Sequence, residues 1–177
     1  MSNIRIFVSH RIDIDSETVD TPVYFPVRCG AVYDEEGNSE IQGDDTGDNI
    51  SKLRMSFCEF TVQYWAWKNV DADYYGLCHY RRYLSFSDKR YKNTAFNMVR
   101  ELRLTAHEKK KYHLDDTKKI NIVVQKYDMI IPELAKASEM SYNRAEVKTL
   151  REMWESYNGV YFEQGIIDKM ISLIKEY

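Results

Sequence analysis

Two different periods of apolar residues run along this chain. Ile4–Val8 (IRIFV) is short, β-branched and apolar, and reads as a first strand whose carboxyl end leads straight into Ser9, His10 and Arg11. Val23–Val27 is a second extended stretch. Pro22 and Pro26 predict an edge or pre-strand position for it, because proline cannot donate to a ladder. The period changes after Ser51. Leu53, Phe57, Phe60, Tyr64 and Trp67 recur at spacings of four, three, four and three, which predicts an amphipathic helix over 51–68. Ser51 is its natural N-cap, and an aromatic stripe would pack it on something flat. Tyr74–Cys78 (YYGLC) and Tyr127–Ile131 (YDMII, closed by Pro132) are continuously apolar and read as buried strands. Helices are expected over 95–112, 117–125, 144–157 and 161–176. The last carries Ile166, Ile167, Met170, Leu173 and Ile174 on one face.

Strands alternating with helices, and strands apolar throughout, predict an α/β sandwich with a largely parallel sheet. The 177 residues suffice for one domain with a real core. Residues 4–132 would form that core and 133–177 a helical C-terminal part. The pattern of the last helix runs uncapped to residue 177, which is the pattern of the front part of a longer protein.

Composition narrows the partners. The net charge of −3 argues against nucleic acid, which needs a basic surface. Charge is unevenly placed, with residues 34–48 acidic and residues 79–92 and 100–119 leaning basic. Cys29, Cys58 and Cys78 form no CxxC pair, which fits reduced thiols in a cytoplasmic protein better than a disulfide framework or zinc site. The N-terminal apolar run is too short for a signal peptide, and nothing approaches the roughly 20 apolar residues of a membrane span. Any membrane association is therefore expected to be peripheral.

The stretch YYGLCHYRRY, residues 74–83, concentrates the chemistry. Ligands of open α/β sheets bind beyond the carboxyl ends of the strands. Two strands deliver polar clusters there: His10 and Arg11 from the first, His79, Arg81 and Arg82 from the later one. With both strands central, two histidines and three arginines would face one crevice. Guanidinium stays charged and offers planar bidentate donors to phosphate oxygens, so a diphosphate is the natural ligand. The plainer alternative pairs Arg81 and Arg82 with Glu35, Glu36 or other surface carboxylates.

The loop DEEGNSEIQGDDTGDN, residues 34–49, is long for a compact domain, and long ordered loops are more often functional than idle. Asp44, Asp45 and Asp48 could ligate a hard divalent ion or hydrogen-bond a ribose or sugar hydroxyl. On spacing alone a solvated turn is the simpler reading, and no EF-hand pattern is present. The chain also lacks GxSxG, P-loop, HExxH and GxGxxG signatures. His107 and His113 sit among lysines on what reads as an exposed helix. Trp65 and Trp67 read as packing residues, and Cys78 as an inert thiol in a buried strand.

Five segments, IFVSHR (6–11), GDDTGDNIS (43–51), FCEFTVQYWAWKN (57–69), DYYGLCHYRRYLSF (73–86) and YDMIIP (127–132), together resemble a bacterial domain-of-unknown-function family, number 4422. That family is associated with capsular or exopolysaccharide biosynthesis glycosyltransferases of the GT-A type. The resemblance spans about residues 4–132 and weakens beyond 135. It implies a three-layer α/β/α sandwich with a mostly parallel sheet, whose N-terminal half binds a nucleotide-sugar donor, UDP-linked by preference. It also implies a hexosyl-type transferase acting on a glycan or lipid-linked glycan at the inner face of the plasma membrane.

On that reading Arg81, Arg82 and His79 are the catalytic set. His10, Arg11, Asp44, Asp45, Asp48, Asn49 and Tyr80 bind the donor, and Asp44, Asp45 and Asp48 hold Mn²⁺ or Mg²⁺ if a metal is used. No DxD motif follows the later strand; the equivalent place holds HYRRY. Family members extend past residue 177, on the acceptor side. A truncated or non-catalytic nucleotide-sugar or glycan-binding module is the alternative, and a tyrosine-rich interaction domain a more distant one.

Overall fold

Strand β1 (Ile4–Arg11) lies inside a four-stranded sheet, flanked by β2 (Tyr24–Cys29) and β4 (Tyr74–His79), with the two-residue β3 (Gln42–Gly43) beyond β2. Every pairing is parallel. In the computed structural model the described residues are 2–13, 16–37, 40–91, 98–134, 149, 151–152 and 165–176. Two compact units divide the chain: Met1–Arg90 with Glu101–Ile131, and Tyr91–Arg100 with Pro132–Tyr177. The sheet and its flanking helices belong to the first.

Strand parity sorts the side chains. Phe7 pairs with Phe25 and Leu77, which puts these three on one face; Ile6 pairs with Tyr24 and Gly76 on the other. Helix α2 (Phe60–Asn69) covers the first face, following the single turn α1 (Arg54–Phe57). Val62, Trp65 and Ala66 pack with Phe7, Val27 and Cys29 into one buried cluster, the Trp65 ring stacked on Phe25 at 6.4 Å. After the short α3 (Ala106–Lys111) comes α4 (Thr117–Val124), whose Val124 lines one groove with Ile4 and Ile6 of the second face. Ile120 is fully buried there, and Phe86 donates its amide to Tyr112 O at 3.0 Å. Ile4, Ile6, Gly76 and Cys78 face Val124 and Tyr127–Ile130 across an apolar groove of about 320 Å³. The result is the expected α/β/α layering, with a sheet that is wholly rather than mostly parallel.

Several sequence expectations need correction. The helix expected over 51–68 is a 3₁₀ turn (Ser51–Leu53), then α1, a break at Cys58 with φ 46°, and α2. The break resets the helical face. The stripe Leu53, Phe57, Phe60 and Trp67 therefore lies exposed, while Thr61, Val62, Trp65 and Ala66 are buried. Ser51 does not cap a helix; its hydroxyl is committed to Asp44.

β2 is not an edge strand. Val23 O accepts from Ile6 and Arg28 O from Asp44, so odd residues of β2 bond towards β1 and even ones towards β3. Pro26 thus turns its missing donor to the β3 side, before β3 begins pairing at Val27 and Arg28. β4 is an edge rather than a central strand, which leaves Tyr75 and Leu77 partly exposed.

Tyr127–Ile131 is apolar enough for a strand, but it has no ladder partner among the described residues and forms one wall of the groove instead. Of 95–112, residues 95–97 lie outside the described residues, 98–105 are not helical and Ala106–Lys111 is. Most of the helix expected over 144–157 lies outside the described residues. In the second unit, α5 (Ile166–Lys175) carries a bidentate ion pair from Arg151 to Asp168 at 2.8 and 2.9 Å, and Met170, Leu173 and Ile174 are exposed.

Candidate functional site

A tight turn follows β4 for reasons written in its own residues. Arg82 donates its amide to His79 O at 2.8 Å, and Arg81 donates its amide to His79 Nδ1 at 3.1 Å. The His79 ring thereby caps the end of its own strand. Tyr80 is buried, and Arg81 lies over its ring at 5.0 Å. Tyr80 donates its amide to Ser9 O at 3.1 Å, which ties the turn to the end of β1. The carboxyl ends of β1 and β4 are thus held side by side.

Arg11 meets this turn. Its guanidinium lies within reach of Tyr80, and the charges of Arg82, Arg81 and Arg11 all bear on His79. Neither Arg81 nor Arg82 forms an ion pair with a carboxylate among the described residues, so the pairing with Glu35 or Glu36 does not occur. Arg11 does have a partner. It grips Asp13 through both Nε, at 2.8 Å, and a terminal nitrogen.

His79 is the centre of this electrostatic arrangement. Burial pushes its pKa below the ordinary value; the Glu59 carboxylate opposes that shift, and Arg82, Arg81 and Arg11 reinforce it. Because Nδ1 accepts from Arg81, the ring proton of the neutral form sits on Nε2. Nε2 lies 3.4 Å from Glu59 Oε1, at the residue preceding α2. The positive end of the α2 dipole faces the same edge of the sheet.

His10 is placed differently. It is buried on the opposite sheet face from Arg11 and His79, as its even position requires. The hydroxyls of Ser16 and Thr18 meet its Nδ1 and Nε2 at 2.8 and 2.6 Å, and its ring is 6.2 Å from Tyr80. Tyr80 is the element between His10 and the arginines.

The aspartates of the long loop do not join this group. Asp44 is fully buried, and its carboxylate accepts from the amides of Gly30 and Ala31, both at 2.9 Å. It also accepts from Ser51 at 2.6 Å and Thr61 at 2.5 Å. Asp48 exchanges backbone bonds with the Asn69 side chain and accepts from Tyr64, and Asn49 donates to Asp45 O and Gly47 O. Glu59 and Asn69 stand at opposite ends of α2, about 15 Å apart by helix rise. The Asp48 end of the loop is thus far from the arginines. Among the described residues no three histidine, cysteine, aspartate or glutamate side chains are grouped to hold a metal ion, and the Asp44 carboxylate is taken up by four protein donors.

Sequence reasoning did not single out Asp13, Gly30, Arg54 or Glu59. A glycine directly after a strand end was the one available signal. Gly30 has φ +70°, and the stem of Arg54 lies so close that a Cβ there would stand 2.1 Å from Arg54 Cδ. Of the thiols, Cys78 is pushed up to about 12 by burial, and burial also raises Cys29. Both are poor nucleophiles.

Comparison with known proteins adds what geometry cannot. No curated protein matches the chain. A solved structure, the apo form of the WbbM bifunctional glycosyltransferase, is similar with a TM-score of 0.64 and 32% identity. The match covers 71% of this chain and 22% of that one, so this chain spans about a fifth of that enzyme's length. No described helix is long and apolar enough to cross a membrane. The model of a domain of unknown function, DUF4422, matches residues 5–176, and the chain belongs to that family.

Proposed function

We propose that this chain is the donor-binding part of a nucleotide-sugar-dependent glycosyltransferase that serves a growing cell-surface polysaccharide or lipid-linked glycan. The observation that carries the reading is the convergence of Arg11, Arg81 and Arg82 around His79 at the carboxyl edge of a parallel sheet. The likeness to part of a bifunctional glycosyltransferase supports it. The donor would be a nucleoside diphosphate sugar, UDP-linked by preference, used at the cytoplasmic face of the membrane.

The chemistry follows from charge. As the bond from sugar to phosphate breaks, the leaving diphosphate gains negative charge. Guanidinium groups fixed beforehand stabilise that state more than the ground state. Arg81 and Arg82 would grip the leaving diphosphate together with Arg11. His79, neutral at pH 7, would donate from Nε2 to a phosphate or sugar oxygen once Glu59 is displaced. Tyr80 holds the turn in place beneath them.

Thermal shift with UDP, GDP and their sugars, with and without Mn²⁺, tests the reading. Stabilisation by a nucleoside diphosphate that is lost in Arg81→Ala and Arg82→Ala is the expected result; no shift with any ligand overturns it. A second reading of the same site is a binding module without transfer. Ligand-induced stabilisation without donor hydrolysis or sugar transfer would select it.

A further inference from the structure

Two arginines from different elements, Arg11 and Arg54, are carried to adjacent strand ends, and the Asp13 carboxylate bound to Arg11 also feels the charge of Arg54. Arg11 is the last residue of β1 and stands in register with Cys29, the last residue of β2. Gly30 follows at once, and the stem of Arg54 crosses it at a distance only glycine permits. Arg54 is therefore carried over the end of β2, the strand whose last residue is in register with Arg11. Asp13 is bound through both its oxygens to Arg11, and its carboxyl is held below the usual range, first by that hydrogen bond and also by the charge of Arg54. The side chains of Arg11 and Asp13 are 44% and 53% exposed, so a dissolved anion can reach the pair.

We infer that Arg11 and Arg54 form one lobe of the diphosphate seat, and that Asp13 occupies this lobe as a built-in competitor until the ligand displaces it. The inference rests on the glycosyltransferase reading and adds two residues to it. A carboxylate presents two oxygens to a guanidinium as a phosphate does, so Asp13 mimics one phosphate group of the ligand. A diphosphate carries more charge and can engage Arg81 and Arg82 as well, which is how it would win the exchange. Asp13 would thus hold the arginines in place in the empty site and set a threshold against weaker anions such as single phosphate.

Titration calorimetry of the full chain with inorganic pyrophosphate and with UDP tests this. Compared would be the wild type, Asp13→Asn, Arg54→Gln and Asp20→Asn, the last removing an exposed carboxylate elsewhere. Asp13→Asn is expected to bind pyrophosphate about fivefold more tightly, the equivalent of one exposed ion pair. Asp20→Asn should stay within about twofold, and Arg54→Gln should bind more weakly than wild type. Asp13→Asn binding no better than Asp20→Asn, while wild type still binds UDP, overturns this inference alone. Absence of binding of either ligand to any variant overturns the glycosyltransferase reading as well. Should Asp13→Asn fail to fold, the Arg11 Nε–H resonance of the wild type serves instead: displacement of Asp13 requires it to move on titration with pyrophosphate, and an unmoved resonance overturns the proposal.

Discussion

Thr61 and Asp44 are joined by a fully buried hydrogen bond of 2.5 Å, the hydroxyl at the start of α2 donating to a carboxylate just after β3. The same carboxylate takes the two amides that follow β2 and the hydroxyl of Ser51. A single side chain thus fastens β2, β3, the 3₁₀ turn and α2 beneath the site. Asp44→Asn puts an amide donor against donors and is expected to cost about 3–5 kcal/mol in urea unfolding. Thr61→Val, which removes one of the four bonds, should cost about 1–3 kcal/mol. A variant at Asp44 that unfolds at the wild-type midpoint would contradict this structural role.

Gly30 joins stability to the site. Its φ of +70° is strained for any residue with a Cβ, and that Cβ would also meet Arg54 Cγ at 2.8 Å. Gly30→Ala is expected to cost about 1–3 kcal/mol and to push the Arg54 stem off the end of β2. Two readouts follow: a lower melting temperature and a weaker response to pyrophosphate. The second should persist when comparison is made at equal fractions folded.

His79 predicts a pH dependence whose sign is fixed by the direction of its shift. Its folded pKa lies below the ordinary value of about 6.5, mainly through burial. On acidification the unfolded chain therefore takes up the proton first. Stability is complete above about pH 6.5, falls as pH drops towards the folded pKa, and levels off beneath it. An NMR titration should place the His79 midpoint below that of an exposed histidine. Glu59→Gln should move it lower still, because Glu59 is the partner that favours the charged form, and Arg81→Ala should move it up.

Two strands of the sheet, β1 and β4, and the basic residues at their carboxyl ends were legible because both signals are local. An apolar run of five residues ending in a basic pair needs no tertiary knowledge to be noticed. β1, β4 and α4 stand where the sequence pattern puts strands and a helix, although β4 lies at the edge of the sheet and not inside it. Parity is equally local: His10 and Arg11 are adjacent in a strand and so must face opposite sides of the sheet. Asp13, Arg54 and Glu59 were not legible, because each takes its place through a contact made after the chain folds. The case of Asp44 shows a further limit. An acidic, glycine-rich loop reads as solvent or metal chemistry, and only the fold shows four donors waiting for one carboxylate.

The same limit can be tested on the two tryptophans of α2. By hydrophobicity alone Trp65 and Trp67 are equivalent, and the aromatic spacing favoured the face that holds Trp67. The left-handed residue Cys58 breaks the helix before that spacing can continue, so the buried face is set by Val62, Trp65 and Ala66 against the sheet. Trp65 is 5% exposed and donates Nε1–H to Thr46 at 3.0 Å; Trp67 is 64% exposed under the ammonium of Lys68 at 3.8 Å. Trp65→Ala is therefore expected to cost about 3–5 kcal/mol. Trp67→Ala should cost about 1 kcal/mol or less, the worth of an exposed cation–π contact. Iodide should quench Trp67 readily and Trp65 barely, which single-tryptophan variants would separate. Equal quenching would mean that α2 turns a different face to the sheet, and the position of Glu59 beside His79 would fall with it.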